Sequence, residues 1–114
     1  MITGIKSVAV LVADAKRAAE WYREKLGFEV SIQEHWVTAK PKGTEMRLHL
    51  CEKCKEWEDD GPGGQTGISF EVDDKEQTYR ELKASGVEFS QELTTDWFGT
   101  YAIFKDLDGN RFWI

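Results

Sequence analysis

One run of residues occurs twice in this chain, and a repeated supersecondary unit narrows the possible folds more than any other feature of a sequence. Lys6-Ser7-Val8-Ala9-Val10-Leu11-Val12-Ala13-Asp14 aligns with Thr66-Gly67-Ile68-Ser69-Phe70-Glu71-Val72-Asp73-Asp74. Val8 matches Ile68, Val10 matches Phe70, Val12 matches Val72, and Asp14 matches Asp74. Alternation with period two marks each run as a half-buried strand. Each aspartate then suits the N-cap of a helix, where its carboxylate accepts from a backbone N–H with no partner inside the helix.

The helices and later strands follow the same duplication. Ala15, Ala18, Ala19, Tyr22 and Leu26 recur at helical spacing and form one apolar stripe. The second stripe is thinner, carried by Tyr79 and Leu82, and Gln77 suits a capping box with Asp74. Gly27 and Gly86 stand where a helix ends in a left-handed residue, and each opens a strand, Gly27–Val30 and Gly86–Phe89. Further strands are expected near Trp36–Ala39, Met46–Leu50, Thr100–Phe104 and Arg111–Ile114, with turns at Pro41-Lys42-Gly43 and at Asp106-Leu107-Asp108-Gly109-Asn110. Each half therefore reads β-α-β-β-β. Module one covers 1–54, an acidic and then Gly/Pro-rich linker covers 55–65, and module two covers 66–114. The fold class is α+β, within a length of 114 residues that fits one ordinary domain.

Charge and composition exclude several roles. The net charge is −6, from 15 basic and 21 acidic residues, which argues against nucleic-acid binding. No apolar run approaches the length of a membrane helix, and Met1-Ile2-Thr3-Gly4-Ile5 is neither a signal nor a transit peptide. Two cysteines are too few for a disulfide scaffold, so a cytoplasmic protein is expected.

Alternation also sorts the side chains by face. Val8, Val10, Val12, Ile68, Phe70 and Val72 belong under the helices, as do Met46, Leu48, Leu50, Phe112 and Ile114. The opposite face then carries Ser7, Arg47, His49, Gly67, Ser69, Glu71, Arg111 and Trp113. Such a face is often simply solvated. Here Trp36, Trp97, Phe98, Tyr101 and Trp113 cluster near these strands, and aromatics among a few polar groups are typical pocket linings.

The repeat, the run Trp21-Tyr22-Arg23-Glu24-Lys25-Leu26-Gly27-Phe28 and the turn Asp106-Leu107-Asp108-Gly109-Asn110 resemble the vicinal oxygen chelate superfamily, the glyoxalase, bleomycin-resistance and extradiol dioxygenase group. The resemblance runs from Ile5 to Ile114. It implies two tandem βαβββ modules forming a curved mixed sheet around a cavity, helices on the outer face, in a homodimer. It also implies a divalent metal held by His, Glu or Gln from the first and last strands of each module. Carried over one position at a time, those places fall on Ser7, Arg47 (or His49, if the loop differs in length), Gly67 and Trp113. Glycine has no side chain, an indole is no ligand and a guanidinium repels a cation. No metal, and no other cofactor, is therefore expected at the family's positions.

Other chemistry is thinner. Cys51-Glu52-Lys53-Cys54 is a CxxC, but it follows a strand and not a turn into a helix, so the thiol lacks the dipole that would activate it. Zinc could recruit His49 and His35, yet no second CxxC exists. His49 and Glu71 are the candidates for acid–base catalysis; a plain strand histidine and an ion pair of Glu71 with Arg47 or Arg111 are the commoner alternatives. Neither Ser7 nor Ser69 has a histidine placed beside it by the sequence.

The leading expectation is a metal-free protein of the bleomycin-resistance kind that binds a small organic molecule. Ser7, Trp36, Arg47, His49, Gly67, Ser69, Glu71, Trp97, Tyr101, Arg111 and Trp113 would contact the ligand, with Trp113, Trp36 and Tyr101 stacking. Glu71 would favour a cation. The alternatives are a lyase, isomerase or oxygenase with an altered metal or acid–base site, and a role in which the same face makes a dimer.

Overall fold

The computed structural model describes residues 1–52 and 61–114. These form two compact units, Met1–Pro62 and Gly63–Ile114. In the first, β1 (Val8–Val12) leads into α1 (Ala15–Leu26), followed by β2 (Glu29–Gln33), β3 (Trp36–Lys40) and β4 (Leu48–Glu52). In the second, β5 (Gln65–Ser69) leads into α2 (Lys75–Ala84), followed by β6 (Phe89–Asp96), β7 (Gly99–Lys105) and β8 (Arg111–Trp113). Each unit holds a four-stranded mixed sheet, ordered β1-β4-β3-β2 and β5-β8-β7-β6. The outer pairs β1–β4 and β5–β8 are parallel and the remaining pairs antiparallel. Each unit is thus the βαβββ module expected from the repeat. A parallel neighbour for the first strand requires the helix as crossover.

Both helices start as the aspartates dictate. Asp14 Oδ1 accepts from Arg17 N at 3.2 Å, and Asp74 Oδ1 accepts from Gln77 N at 3.0 Å. The capping box does not close, because the Gln77 amide bonds Glu81 one turn on, at 2.9 Å. Gly27 ends α1 with φ +69, a conformation that costs a residue with a Cβ about 1–2 kcal/mol. Ala15, Ala18, Ala19 and Tyr22 of α1 are buried, while α2 buries no side chain fully.

The cores match the predicted faces with one exception. Val10, Val12, Leu48 and Leu50 are buried in the first unit, and Phe104, Phe112 and Ile114 in the second. Phe70 stacks on Phe112 with ring centroids 5.2 Å apart. Met46 is the exception: it is 44% exposed and precedes β4, which starts and ends two residues later than expected. The apolar alternation continues past the point where pairing with β1 begins, at Val8 and Leu48. Cys54 and most of the expected linker lie outside the described residues. Gly63 and Gly64 are anchored to the second unit, through Gly63 N to Asn110 Oδ1 at 2.8 Å and Arg111 N to the Gly64 carbonyl at 3.0 Å. No helix among the described residues is long and apolar enough to cross a membrane.

Candidate functional site

In the second unit the face away from α2 is built by β5, β8 and β7. Residues directly opposite one another on paired strands share a face. Ser69 lies opposite Trp113, Gln65 opposite Arg111, Ile103 opposite Trp113 and Lys105 opposite Arg111. Phe104 and Phe112, one residue out of phase, point into the core. On the outer face Tyr101 stacks on Trp113, centroids 4.9 Å apart and planes at 20°, and on Phe98 at 4.9 Å and 26°. Phe98 also approaches Trp113, at 6.5 Å. The three rings form a continuous aromatic wall, with Phe98 51% exposed. The Trp113 indole N–H donates to Gln65 Oε1 at 3.4 Å, which fixes the edge of that ring. Burial first, then the Asp96 carboxylate and its hydrogen bond, pushes the Tyr101 phenol above its ordinary pKa.

Trp97, expected beside these residues, is 94% exposed, and its ring sets T-shaped against Phe98, at 5.3 Å and 83°. It sits in the tight turn between β6 and β7, where the side chain projects outward. Glu71 makes no ion pair with Arg111. The parallel register already sets Ser69 against Trp113, so Glu71 lies past that end of the pairing and Arg111 at the other. Gln65 was missed because the glycines before it read as linker. Its role is visible only once the register with β8 is known.

The first unit brings a different group together. His49 on β4 stacks on Trp36 at the start of β3, centroids 3.9 Å apart and planes at 26°. Lys6 Nζ lies 5.1 Å from the Trp36 ring centre. A face of Trp36 that the sequence assigned to a ligand is therefore occupied by His49. Burial, and secondarily the Lys6 charge, lowers the His49 pKa below its ordinary 6.5. Strands β3 and β4 pair only at Thr38–His49 and Ala39–Leu48. Beyond this, between Val37 and Leu50, a pocket of about 310 Å3 opens, lined also by Glu34, His35, His49, Cys51 and Glu52. Glu52 accepts from Ala15 N at 3.0 Å, so its carboxylate sits on the positive end of α1.

The four positions that the resemblance assigns to metal ligands lie in surroundings set by the strand pairing. Ser7 precedes β1 and Arg47 precedes β4, tied by Val8 N to the Arg47 carbonyl at 3.1 Å. Gly67 has φ +72 and lies where the β5–β8 register shifts, between Gln65 and Ser69. The glycine there is explained by its backbone, and a histidine would be strained. Trp113 is fixed in the aromatic wall. His49, the alternative to Arg47, lies opposite Ala9 as Trp113 lies opposite Ser69, so the first unit offers one hydroxyl and an imidazole stacked on Trp36. With no ligand atom in the second unit, these fall short of the three protein ligands that hold a divalent ion. Among the described residues no three His, Cys, Asp or Glu side chains converge elsewhere.

Residues 4–114 match the family model described as glyoxalase/bleomycin resistance protein/dioxygenase superfamily. An uncharacterised protein of Bacillus subtilis (strain 168), YetH, is 36% identical, over 98% of this chain and 97% of its own. The crystal structure of a member of the same superfamily from Sphaerobacter thermophilus DSM 20745 superposes with a TM-score of 0.84 at 31% identity, covering 98% of this chain and 95% of that one. TnmS3, an antibiotic-binding protein from Streptomyces sp. CB03234, superposes with a TM-score of 0.82 at 26% identity, covering 98% and 93%.

Proposed function

Because this chain belongs to the glyoxalase/bleomycin resistance protein/dioxygenase superfamily, we propose that it binds a planar aromatic small molecule without a catalytic metal, as a cytoplasmic homodimer. The observation that carries this reading is the wall of Phe98, Tyr101 and Trp113. Large rings on a sheet face, not turned into the core, mark a binding surface. Offset stacking of a further ring adds about 0.5–1.5 kcal/mol beyond area burial. The likeness to an antibiotic-binding protein supports the same direction, while the unsuited metal positions weigh against the family's metal chemistry.

Titration of the purified protein with a panel of two- and three-ring aromatics, followed by calorimetry, tests the reading. Binding is expected for some members and is expected to weaken at least about tenfold in Trp113→Leu, the loss of one stacked, buried ring. A panel with no binder, or a Trp113→Leu variant that binds as well as the parent, sinks the proposal. A second reading, acid–base catalysis, has one observation in its favour. His49 lines the 310 Å3 pocket and its pKa is shifted down, so it is a neutral base at pH 7. Turnover abolished in His49→Gln but retained in Trp113→Leu would establish it over the first.

A further inference from the structure

We propose that the molecule held on the aromatic wall carries an acidic group, and that Lys105 and Arg111 receive it. This rests on the aromatic-binding reading and names the chemical class of its ligand: a planar ring system bearing a carboxylate, sulfonate or phosphate.

Lys105 on β7 and Arg111 on β8 are directly opposite in an antiparallel ladder, so their side chains leave the sheet on one face. It is the face that carries Tyr101 and Trp113, because residues two apart on a strand point the same way. Both cations are partly buried. Neither forms an ion pair with a described residue. Of the neighbouring carboxylates, Glu88 is exposed across from Lys105, whose backbone N–H donates to the Glu88 carbonyl at 2.8 Å, and it forms no ion pair with Lys105. Asp106 is turned into its own loop, where Oδ1 accepts from Asp108 N at 2.9 Å and Asn110 N at 2.8 Å, and Oδ2 from Asn110 Nδ2 at 2.9 Å.

Like charges directly opposite on paired strands destabilise a sheet. An anion between them reverses the sign of that interaction, and a guanidinium fork matches a carboxylate or phosphate with two parallel bonds. Trp113 and Arg111 stand two residues apart, about 7 Å along the strand. A two-ring aromatic with an acid on its edge, followed by one charge-assisted hydrogen bond of about 2.8 Å, spans that distance. The expectation of a cationic ligand rested on Glu71, which lies at the far end of the face from this pair.

Calorimetry with three matched probes, 2-naphthoate, 2-naphthalenemethanol and 2-naphthylmethylammonium, tests the inference. Naphthoate is expected to bind about tenfold more tightly than the alcohol, the contribution of one charge-assisted hydrogen bond, with the ammonium weakest. In Arg111→Gln and, separately, in Lys105→Gln, the naphthoate-to-alcohol ratio is expected to fall by about threefold or more. Two variants guard against one that fails to fold. Naphthoate binding no tighter than the alcohol, or a ratio that both substitutions leave unchanged, overturns the inference and leaves the aromatic-binding reading standing. No binding by any of the three overturns both.

Discussion

His49 lies against the Trp36 ring with Lys6 nearby, and this fixes how its charge depends on pH. Its folded pKa is depressed, first by burial and then by Lys6. The unfolded chain therefore takes up the proton at a higher pH than the folded one. The stability it contributes is complete above about pH 6.5 and is lost as pH falls through the folded value. Two-dimensional NMR is expected to show His49 titrating below 6.5 and moving up in Lys6→Gln; a value at or above 6.5 in the parent contradicts the geometry. Gly67 gives a prediction of another kind. A Cβ there meets nothing within 4 Å, so only the φ of +72 opposes a larger residue. Gly67→Ala is expected to cost about 1–2 kcal/mol in urea unfolding. Gly64→Ala, without a positive φ, is expected to stay within about 0.5 kcal/mol of the parent. Equal losses at both positions would mean that space, not backbone conformation, is what glycine supplies. Alternation alone put His49, Arg111 and Trp113 on the outer face. It could not show that His49 covers Trp36, nor find Gln65, because both depend on the register between strands, which alternation leaves open.

The two helices have similar caps but different anchorage. Four of the five stripe positions of α1, Ala15, Ala18, Ala19 and Tyr22, are buried and Leu26 is half-buried, with Tyr22 packed against Phe28 at 5.8 Å between ring centres. The fixed side of α2 is chiefly Tyr79, set edge-on to Phe89 at 4.7 Å, and none of its residues is fully buried. Helix stability in proteins comes mostly from packing of the apolar face, and local opening is easiest where that packing is thin. Amide hydrogen exchange followed by mass spectrometry is expected to be faster throughout α2 than through the middle of α1. Equal protection would show that the second helix is covered by something its own unit does not supply. This difference was legible in sequence, as two apolar stripe positions against five. The placement of β4 was not. Met46 keeps the alternation with Leu48 and Leu50, so only pairing with β1 decides where the strand begins.

The duplication that organises the chain was fully legible, because strand period, capping aspartates and terminal glycines agree in both halves. Duplication also means that each unit carries its own pair of the metal-ligand positions the resemblance implies. In the first unit the pair is the Ser7 hydroxyl with Arg47 or, by its register, His49; in the second it is a glycine held at φ +72 and an indole built into an aromatic wall. Together these positions supply at most one hydroxyl and one imidazole, short of the three protein ligands a divalent ion needs. An ion that bound only the folded chain would stabilise it by about 2.7 kcal/mol at a hundredfold excess over its dissociation constant. For a domain of this size that raises Tm by several degrees, on the order of 10 °C. Dialysis against EDTA, followed by thermal melts with Mn2+ or Ni2+, is therefore expected to leave Tm unmoved, whereas a saturating planar aromatic acid is expected to raise it by several degrees. The contrast is informative in both directions. A rise with one ion, or a fall on chelation, would mean that donors outside these four positions hold a metal, and would return the chain to the catalytic side of its superfamily. An aromatic acid that alone moves the midpoint ties the stabilisation to Trp113, Tyr101 and the cations beside them.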